Sequence, residues 1–381
     1  MSKEEYLKFR SNSPRTEVEA AAPRKLKVSQ SLLYLLFMGL LLFFTFRLLF
    51  KYYDRETVNA LLLTANPFFI FLGLAAVFYL QVVFGQVLLN LIYGATGRQL
   101  PLMIGVKTAM IGFFFNNITP SSSGGQPMEI YFLYRHGIKV AHSTLAFVSL
   151  SLYYYLSKLI LGSISLLGNP AKAWAALAGY RPFFVIGSLL ATVMAIACTM
   201  LLFKPALIAT TARRILSFLI QKRVIKRRQE AKRKLKDWLK QYEGGSQLLS
   251  ARFRNFIRLG LYFLFGTAVY YLAFYFCALA IGLRPPFFEF MRLICLYMLT
   301  ASAIPTPGFI GLGESSFAKI FSDILGYSGS VATMIVARTV TLYFFLLIAL
   351  GFCLYAFIDL RRNPFGRTEK NPAKSKSQGS K

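Results

Sequence analysis

The sequence predicts an all-α polytopic membrane protein with six full spans and two re-entrant hairpins in two inverted repeats. The chain of 381 residues is 56% hydrophobic and only 15% charged, whereas about a quarter of a soluble domain is charged. Several apolar runs are about 20 residues long, which is enough to cross a hydrocarbon core of roughly 30 Å. Two further apolar regions are interrupted by glycine, proline and serine, which indicates broken helices.

The two interruptions are the most informative segments of the chain. They cover residues 116–127 and 304–314. Backbone that is not helical cannot face lipid, because its amide groups would lose their hydrogen bonds. It is tolerated inside protein or along a wet cavity, and broken helices at corresponding positions of two halves are typical of a transport site. We therefore expect function to be centred on these two segments.

The full spans follow from the uninterrupted apolar runs. They are expected at residues 32–50, 67–93, 142–167, 182–203, 257–281 and 330–358. The run at 32–50 follows about thirty polar residues and lacks a small-residue cleavage site, so it is expected to be a retained helix. Two apolar regions remain, 101–136 and 285–325, and each contains one interruption.

The basic residues predict the topology. Formal net charge is +29, and most Lys and Arg side chains fall in segments 1–30, 204–258 and 361–381. Because basic loops stay on the cytoplasmic side, all three segments and both termini are expected there. Counting spans from these segments places Arg98 and Lys139 inside and Arg284 outside.

The same count makes both interrupted regions re-entrant hairpins. Region 101–136 then begins and ends inside, and region 285–325 begins and ends outside. The second part of the first region, 127–136, is too short to span at 1.5 Å per residue. Each repeating unit consists of two spans, a hairpin and a third span. Because three crossings carry the chain to the other side of the membrane, the second unit begins there and has the opposite orientation, as in many transporters.

The chain is expected to divide into five parts. These are a cytoplasmic polar tail at 1–30, membrane half one at 31–203, a basic cytoplasmic insert at 204–256, membrane half two at 257–360 and a basic tail at 361–381. In the insert, apolar residues recur at helical spacing beneath a Lys/Arg face, which predicts an interfacial amphipathic helix. Gly244, Gly245 and Ser246 are expected to break that helix.

The residues of both interruptions resemble two signatures of a known family, the flippase-like membrane domain that forms the transmembrane half of lysylphosphatidylglycerol synthases. The first signature is carried by Pro120, Gly124, Gly125, Gln126, Pro127, Tyr131, Phe132, Leu133 and Gly137. The second is carried by Pro305, Thr306, Pro307, Gly308, Gly311, Gly313 and Glu314. The resemblance covers roughly residues 31–360. Many members have an acidic residue where Gln126 stands.

This resemblance implies translocation of a phospholipid, such as lysylphosphatidylglycerol or another amphipathic lipid, between the leaflets of the cell membrane. The lysyltransferase activity of bifunctional members belongs to a soluble domain, and only about twenty residues follow the last span. No enzyme activity is expected, since no Ser/His/Asp set or Walker loop is present either. Two alternatives remain: a non-transporting subunit that presents lipid to a separate lipid-modifying enzyme, and a solute transporter.

Polar and ionisable residues beside the interruptions are the expected substrate site, since intramembrane charges are costly and usually functional. The expected substrate-binding residues are Asn117, Ser122, Gly125, Gln126, Glu129, Pro307, Gly311, Glu314 and Arg338. Arg338 would give a lipid phosphate a charge-assisted hydrogen bond. The structural alternatives are a Glu314–Arg338 ion pair, helix capping by the polar residues, and snorkelling by Lys107 and Lys319. Lys158 is a further enclosed cation.

The expected partners are membrane phospholipids, with anionic headgroups bound at the basic insert. Nucleic acid is not expected, because no nucleic-acid-binding motif accompanies the charge. No cofactor or metal is expected, because the cysteines and histidines show no ligand spacing. A second copy of the chain and a separate lipid-modifying enzyme stay open as partners.

Overall fold

The computed structural model describes residues 55–119, 124–167, 170–222, 228–303 and 312–362. Within these ranges the chain is helical, with turns and short connections and no strand. The predicted span at 32–50 lies outside the described residues, as do residues 120–123 and 304–311 of the two interruptions.

Seven of the described helices precede the basic insert. They are α1 (Arg55–Leu63), α2 (Pro67–Thr96), α3 (Leu102–Ile118), α4 (Gly125–Arg135), α5 (Val140–Leu167), α6 (Pro170–Ala176) and α7 (Arg181–Phe203). The first interrupted region forms α3 and α4. The helix break therefore falls between them, where the glycine, serine and proline residues predict it.

The remaining helices form the insert and the second half. They are α8 (Pro205–Gln221), α9 (Arg228–Ala251), α10 (Phe253–Ala280), α11 (Phe287–Ala301), α12 (Leu312–Ile320), α13 (Ser322–Leu325), α14 (Tyr327–Arg338) and α15 (Phe345–Arg362), with a π-helical segment at Thr339–Phe344 between the last two. Among the described residues, five helical stretches are long and apolar enough to cross a membrane: α2, α5, α7, α10 and Tyr327–Leu360. Five of the six predicted spans are thus present as apolar helices.

Local signals define the longest single helix, α2. The Asn66 side chain accepts a hydrogen bond from the Phe68 N–H at 2.9 Å, and Pro67 occupies the first helical turn. Gly97 ends the helix in a left-handed conformation at φ 71°, and its N–H donates to the Tyr93 carbonyl. These are the residue types that begin and end helices. At 1.5 Å per residue, α2 is about 45 Å long.

Helices α2 and α10 form an antiparallel central pair. The Asn66 N–H donates to the Ala280 carbonyl at 2.7 Å. Toward the other end of the pair, the Tyr262 hydroxyl donates to Gln86 at 3.0 Å. The start of α2 therefore lies beside the end of α10. We call this the Asn66 end of the bundle, and we call the opposite end, where α2 finishes, the Arg98 end.

The first interrupted region begins and ends at the Arg98 end. Helices α3 and α4 pack side by side, and they run antiparallel because Glu129 lies against Gly112 while Gly125 bonds to Asn116. Arg98, just before α3, donates to the carbonyl of Gly137, just after α4, at 3.1 Å.

The second interrupted region begins and ends at the Asn66 end. Helices α11 and α12 run antiparallel, because the rings of Phe290 and Phe321 are 4.8 Å apart and those of Tyr297 and Phe317 are 5.2 Å apart. Leu283, which follows α10, packs against Gly329 near the start of α14. The two interrupted regions therefore have their ends at opposite ends of the bundle, and in this sense they open in opposite directions.

The basic insert corrects one expectation. Helix α9 continues through Gly244, Gly245 and Ser246 to Ala251, so these residues do not break it. A Cβ on Gly245 would lie 2.9 Å from the Leu145 side chain, so the missing side chain lets α9 approach α5 closely. The Ser246 hydroxyl donates to the Leu202 carbonyl of α7. These small residues make packing contacts inside a helix, and in sequence such residues look the same as those of a turn.

Candidate functional site

The start of α4 is capped by side chains from the end of α3. The Asn116 side chain accepts a hydrogen bond from the Gly125 N–H at 3.1 Å, and the Thr119 hydroxyl accepts one from the Gly124 N–H at 2.9 Å. A Cβ on Gly125 would collide with the Asn116 amide. Helix capping, one of the structural alternatives, therefore accounts for Asn116, Thr119 and Gly125. The two side chains accept hydrogen bonds from backbone N–H groups that a broken helix leaves without partners.

The other predicted residues of α3 and α4 differ in environment. Asn117 is half-buried and donates to the Phe113 carbonyl of its own helix at 2.8 Å. Gln126 is exposed. Glu129 is only 3% exposed, and its carboxylate fills the space left by the missing side chain of Gly112.

Glu129 is the least compensated of the predicted polar residues. In the part of the chain that the structure describes, we find no hydrogen bond or ion pair for its carboxylate. Most buried polar groups in proteins have such a partner. This carboxyl group therefore needs an explanation beyond packing.

Glu314 of α12 and Arg338 of α14 form a buried ion pair. The Arg338 Nε donates to the Glu314 carboxylate at 2.8 Å, and their side chains are 13% and 6% exposed. The structural pair proposed from the sequence is thus present. It places both predicted residues at one point at the second interruption, because Glu314 is the last residue of the segment 304–314.

Tyrosines from three elements lie near this ion pair. Tyr297 of α11, Tyr270 of α10 and Tyr343 of the π-helical segment are within electrostatic range of the Arg338 guanidinium. That segment, Thr339–Phe344, begins immediately after Arg338. π-Helical turns are rare and frequently lie at functional sites. The sequence carried no signal for the π-helical segment, and the tyrosines were missed because apolar spans are rich in aromatic residues.

Lys158 of α5 adds a cation from the first membrane half. It is 5% exposed, its Nζ donates to the Ser302 hydroxyl at 2.7 Å, and it lies 4.3 Å from the centre of the Tyr154 ring. Ser302 immediately follows α11, next to the second interruption. Tyr154 in turn lies near Tyr270. We call Lys158, Tyr154, Tyr270, Tyr297, Glu314 and Arg338 the cation–tyrosine cluster.

Lys107 has a partner that the sequence did not indicate. Its Nζ bonds to the Asp359 carboxylate at 3.0 Å and lies 4.2 Å from the centre of the Tyr355 ring. The Lys107 side chain is 7% exposed, so an ion pair explains this residue better than snorkelling. The contact joins the start of α3 to the end of α15 at the Arg98 end.

The predicted site residues thus fall into two groups. Asn117, Gly125, Gln126 and Glu129 lie at the first interruption, and Glu314 and Arg338 are paired beside the second. Ser122, Pro307 and Gly311 lie outside the described residues, so a single substrate site formed by both groups stays a prediction. Across the described ranges, no cluster of three or more His, Cys, Asp or Glu side chains could hold a metal ion.

Comparison with known proteins identifies the family. Residues 29–349 match the family described as the lysylphosphatidylglycerol synthase TM region, and this range contains both interruptions. No curated protein and no solved structure was found to match the chain. The match covers most of the 381 residues, and the five apolar helices fit a multi-pass membrane protein. The chain belongs to the family of the lysylphosphatidylglycerol synthase transmembrane region.

Proposed function

We propose that this protein moves a phospholipid such as lysylphosphatidylglycerol, or another amphipathic lipid, between the two leaflets of the cell membrane. Membership of the family supports a role connected with membrane lipids. The observation that carries the proposal further is that the two interrupted regions open toward opposite ends of the helical bundle. Broken helices that approach from opposite faces are typical of transporters with a central substrate site.

The packing of the helices supports an inverted repeat. Helix α3 packs against α15, and α11 packs against α5; α4 also packs against α5, and α12 against α14. Each of these helices has a counterpart in the other half: α2 and α10, α3 and α11, α4 and α12, and α5 and the pair α14 and α15. When every helix is replaced by its counterpart, the same packed pairs of helices are obtained. Two repeats related by a pseudo-two-fold axis in the membrane plane would give this pattern.

The lengths of the broken helices support re-entrant hairpins. Helix α3 has 17 residues and α11 has 15, so they are about 26 and 23 Å long at 1.5 Å per residue. Both are shorter than a hydrocarbon core of roughly 30 Å. In our proposal each pair enters the membrane and returns through the same face, so that the two tips reach toward the middle of the bilayer.

We propose that the lipid headgroup binds at the cation–tyrosine cluster. Lys158 and Arg338 would donate charge-assisted hydrogen bonds to the phosphate. The Glu314 carboxylate and the tyrosine rings would receive an ammonium group, since cations bind to aromatic faces. An aminoacylated phospholipid carries both charges, and the cluster offers both kinds of partner.

We further propose that the Arg98 end faces the cytoplasm, together with both termini. Arg98, Lys139 and the C-terminal half of α9 all lie at this end, since Gly245 of α9 packs near Ala95 and His142. Basic residues concentrate on the cytoplasmic side of membrane proteins. The exposed basic face of α9 would then bind anionic headgroups of the inner leaflet. On this proposal the chain transports lipid and does not modify it.

Transport assays on site variants test the proposal. Purified protein in vesicles with a fluorescent phospholipid should move the label between leaflets, read as the fraction protected from a membrane-impermeant quencher. The double variant Glu314→Gln, Arg338→Gln removes both charges and leaves neither one buried alone. We expect it and Lys158→Gln to slow movement about tenfold or more, because a lost charged contact of roughly 1.4 kcal/mol gives a factor of ten.

Lys319→Gln is the matched control, because Lys319 lies on the same helix as Glu314 but is exposed. It should transport at the parent rate. If the folded double variant also transports at the parent rate, the Glu314–Arg338 pair is structural and the headgroup site is wrongly placed. If the parent protein itself moves no lipid, the lipid-presenting subunit and the solute transporter are the better accounts.

A further inference from the structure

Glu129 is a buried acid that the proposed headgroup site does not use. It lies on α4, whereas the cation–tyrosine cluster is built from α5, α10, α11, α12 and α14. Its side chain is 3% exposed and packs against the backbone of Gly112, where a Cβ would collide with the carboxylate. The contact between α3 and α4 is therefore shaped around this carboxyl group.

The groups around Glu129 have other partners. The amides at the start of α4 donate to Asn116 and Thr119. On α3, Lys107 pairs with Asp359 of α15. On α4 itself, Arg135 donates to the Tyr131 hydroxyl.

Further ionisable groups of the described chain lie at the end of α4 and on the neighbouring helix α5. His136, which caps the end of α4, contacts the Phe132 carbonyl, and His142 and Lys158 lie on α5. In the described part of the chain, none of these groups bonds to Glu129. Among the described residues, no cation therefore pairs with a negative charge at this position.

An ionised carboxylate without a partner is costly away from water, so a group in this position binds a proton or moves into water. We propose that Glu129 is a proton-carrying site that couples lipid movement to a proton gradient. The proton is bound to a carboxylate oxygen while α4 packs against α3. It leaves to water when the two helices separate and the carboxylate becomes hydrated. This inference rests on the proposed lipid movement and adds its energy source.

Gly112 has a defined role in this cycle. A methyl group at residue 112 would occupy the space of the carboxyl group. Gly112→Ala should therefore prevent Glu129 from packing between α3 and α4, and should leave it hydrated and ionised. The variant changes no ionisable residue, so an effect on proton binding would report the position of Glu129.

Infrared spectroscopy tests proton binding without transport. The purified protein at neutral pH should show a carbonyl band of a protonated carboxylic acid. The band should disappear in Glu129→Gln and weaken in Gly112→Ala. It should persist in Asp323→Asn, which changes an exposed acid. If Glu129→Gln leaves the protonated-acid band unchanged, Glu129 holds no proton and the inference is wrong, whatever the transport assay shows.

Transport under an imposed pH gradient tests the coupling. In vesicles containing fluorescent phospholipid, the parent rate should rise with the gradient in one direction, by up to about tenfold per pH unit. Glu129→Gln should move lipid at a rate that ignores the gradient. If the parent moves lipid at the same rate with and without a gradient, the coupling is wrong and the proposed function stands. If the parent moves no lipid under either condition, the proposed function fails and the coupling fails with it.

Discussion

At the scale of residues, the buried cations Lys107, Lys158 and Arg338 have partners that are distant in sequence. Lys107 pairs with Asp359, and Lys158 of the first half bonds to Ser302 of the second. A buried pair is a weak source of stability, but the loss of one partner leaves the other charge unpaired in a low-dielectric environment. Such contacts hold the two membrane halves in one arrangement.

The Glu314–Arg338 pair gives a stability prediction. Arg338→Gln should destabilise the protein by about 3–5 kcal/mol, because it leaves the Glu314 carboxylate buried without its cation. Adding Glu314→Gln should recover much of this loss. Thermal unfolding in detergent would measure the difference. Equal melting temperatures for the single and double variants would show that the pair is not a coupled unit.

The sequence indicated some of these residues and not others. It suggested the Glu314–Arg338 pair, because both residues stood out as ionisable side chains in apolar segments. It did not indicate Asp359 as the partner of Lys107, because the two residues are far apart in the chain and Asp359 lies next to the basic tail. The burial of Glu129 depends on Gly112 of a neighbouring helix, which no local pattern records.

At the scale of elements, composition predicts that a helix is present better than it predicts where the helix is interrupted. Long apolar runs predicted five helices that the structure describes, since a membrane span must satisfy its own backbone. Short polar or glycine-rich segments were ambiguous. Helix α3 ends at Ile118 and α4 begins at Gly125, whereas Gly244 to Ser246 lie inside α9. A glycine that makes close packing possible and a glycine that makes a turn look the same in sequence.

The adjacent glycines of α9 test this explanation. Nothing lies within 4 Å of a Cβ built on Gly244, whereas a Cβ on Gly245 would press on Leu145 and His142. Gly244→Ala should stabilise the protein by about 0.5–1 kcal/mol through helix propensity. Gly245→Ala should destabilise it by about 1–3 kcal/mol through overpacking. Melting temperatures of the two variants give the comparison, and a gain from Gly245→Ala would contradict the packing of α9 on α5.

At the scale of the whole molecule, the contacts place the two interrupted regions at opposite ends of one bundle. The antiparallel arrangement of α2 and α10 agrees with the count of spans from the basic segments. The proposed orientation, with the Arg98 end in the cytoplasm, rests on the charge asymmetry of the chain, because basic loops stay in the cytoplasm. A re-entrant hairpin is defined by where its two ends lie relative to the membrane boundary as well as by the packing of its helices. The re-entrant hairpins therefore stay a prediction.

Cysteine labelling tests this topology. Single cysteines at Arg98 and Lys139 should both react with an impermeant thiol reagent only from the cytoplasmic side. Cysteines at Arg284 and Tyr327 should both react only from outside. The four native cysteines are buried, so they should contribute little labelling. A pair that divides between the two sides would mean that its region crosses the membrane and does not return.

The most direct test of the account measures whether the purified protein moves lipid between leaflets. Vesicles with and without the protein would receive labelled lysylphosphatidylglycerol or labelled phosphatidylglycerol in one leaflet, and its appearance in the other would be followed over time. We predict that the protein accelerates movement of at least one of these lipids well beyond protein-free vesicles, and that the double variant Glu314→Gln, Arg338→Gln reduces this acceleration about tenfold or more. Movement no faster than in protein-free vesicles, from folded protein and for both lipids, would contradict it.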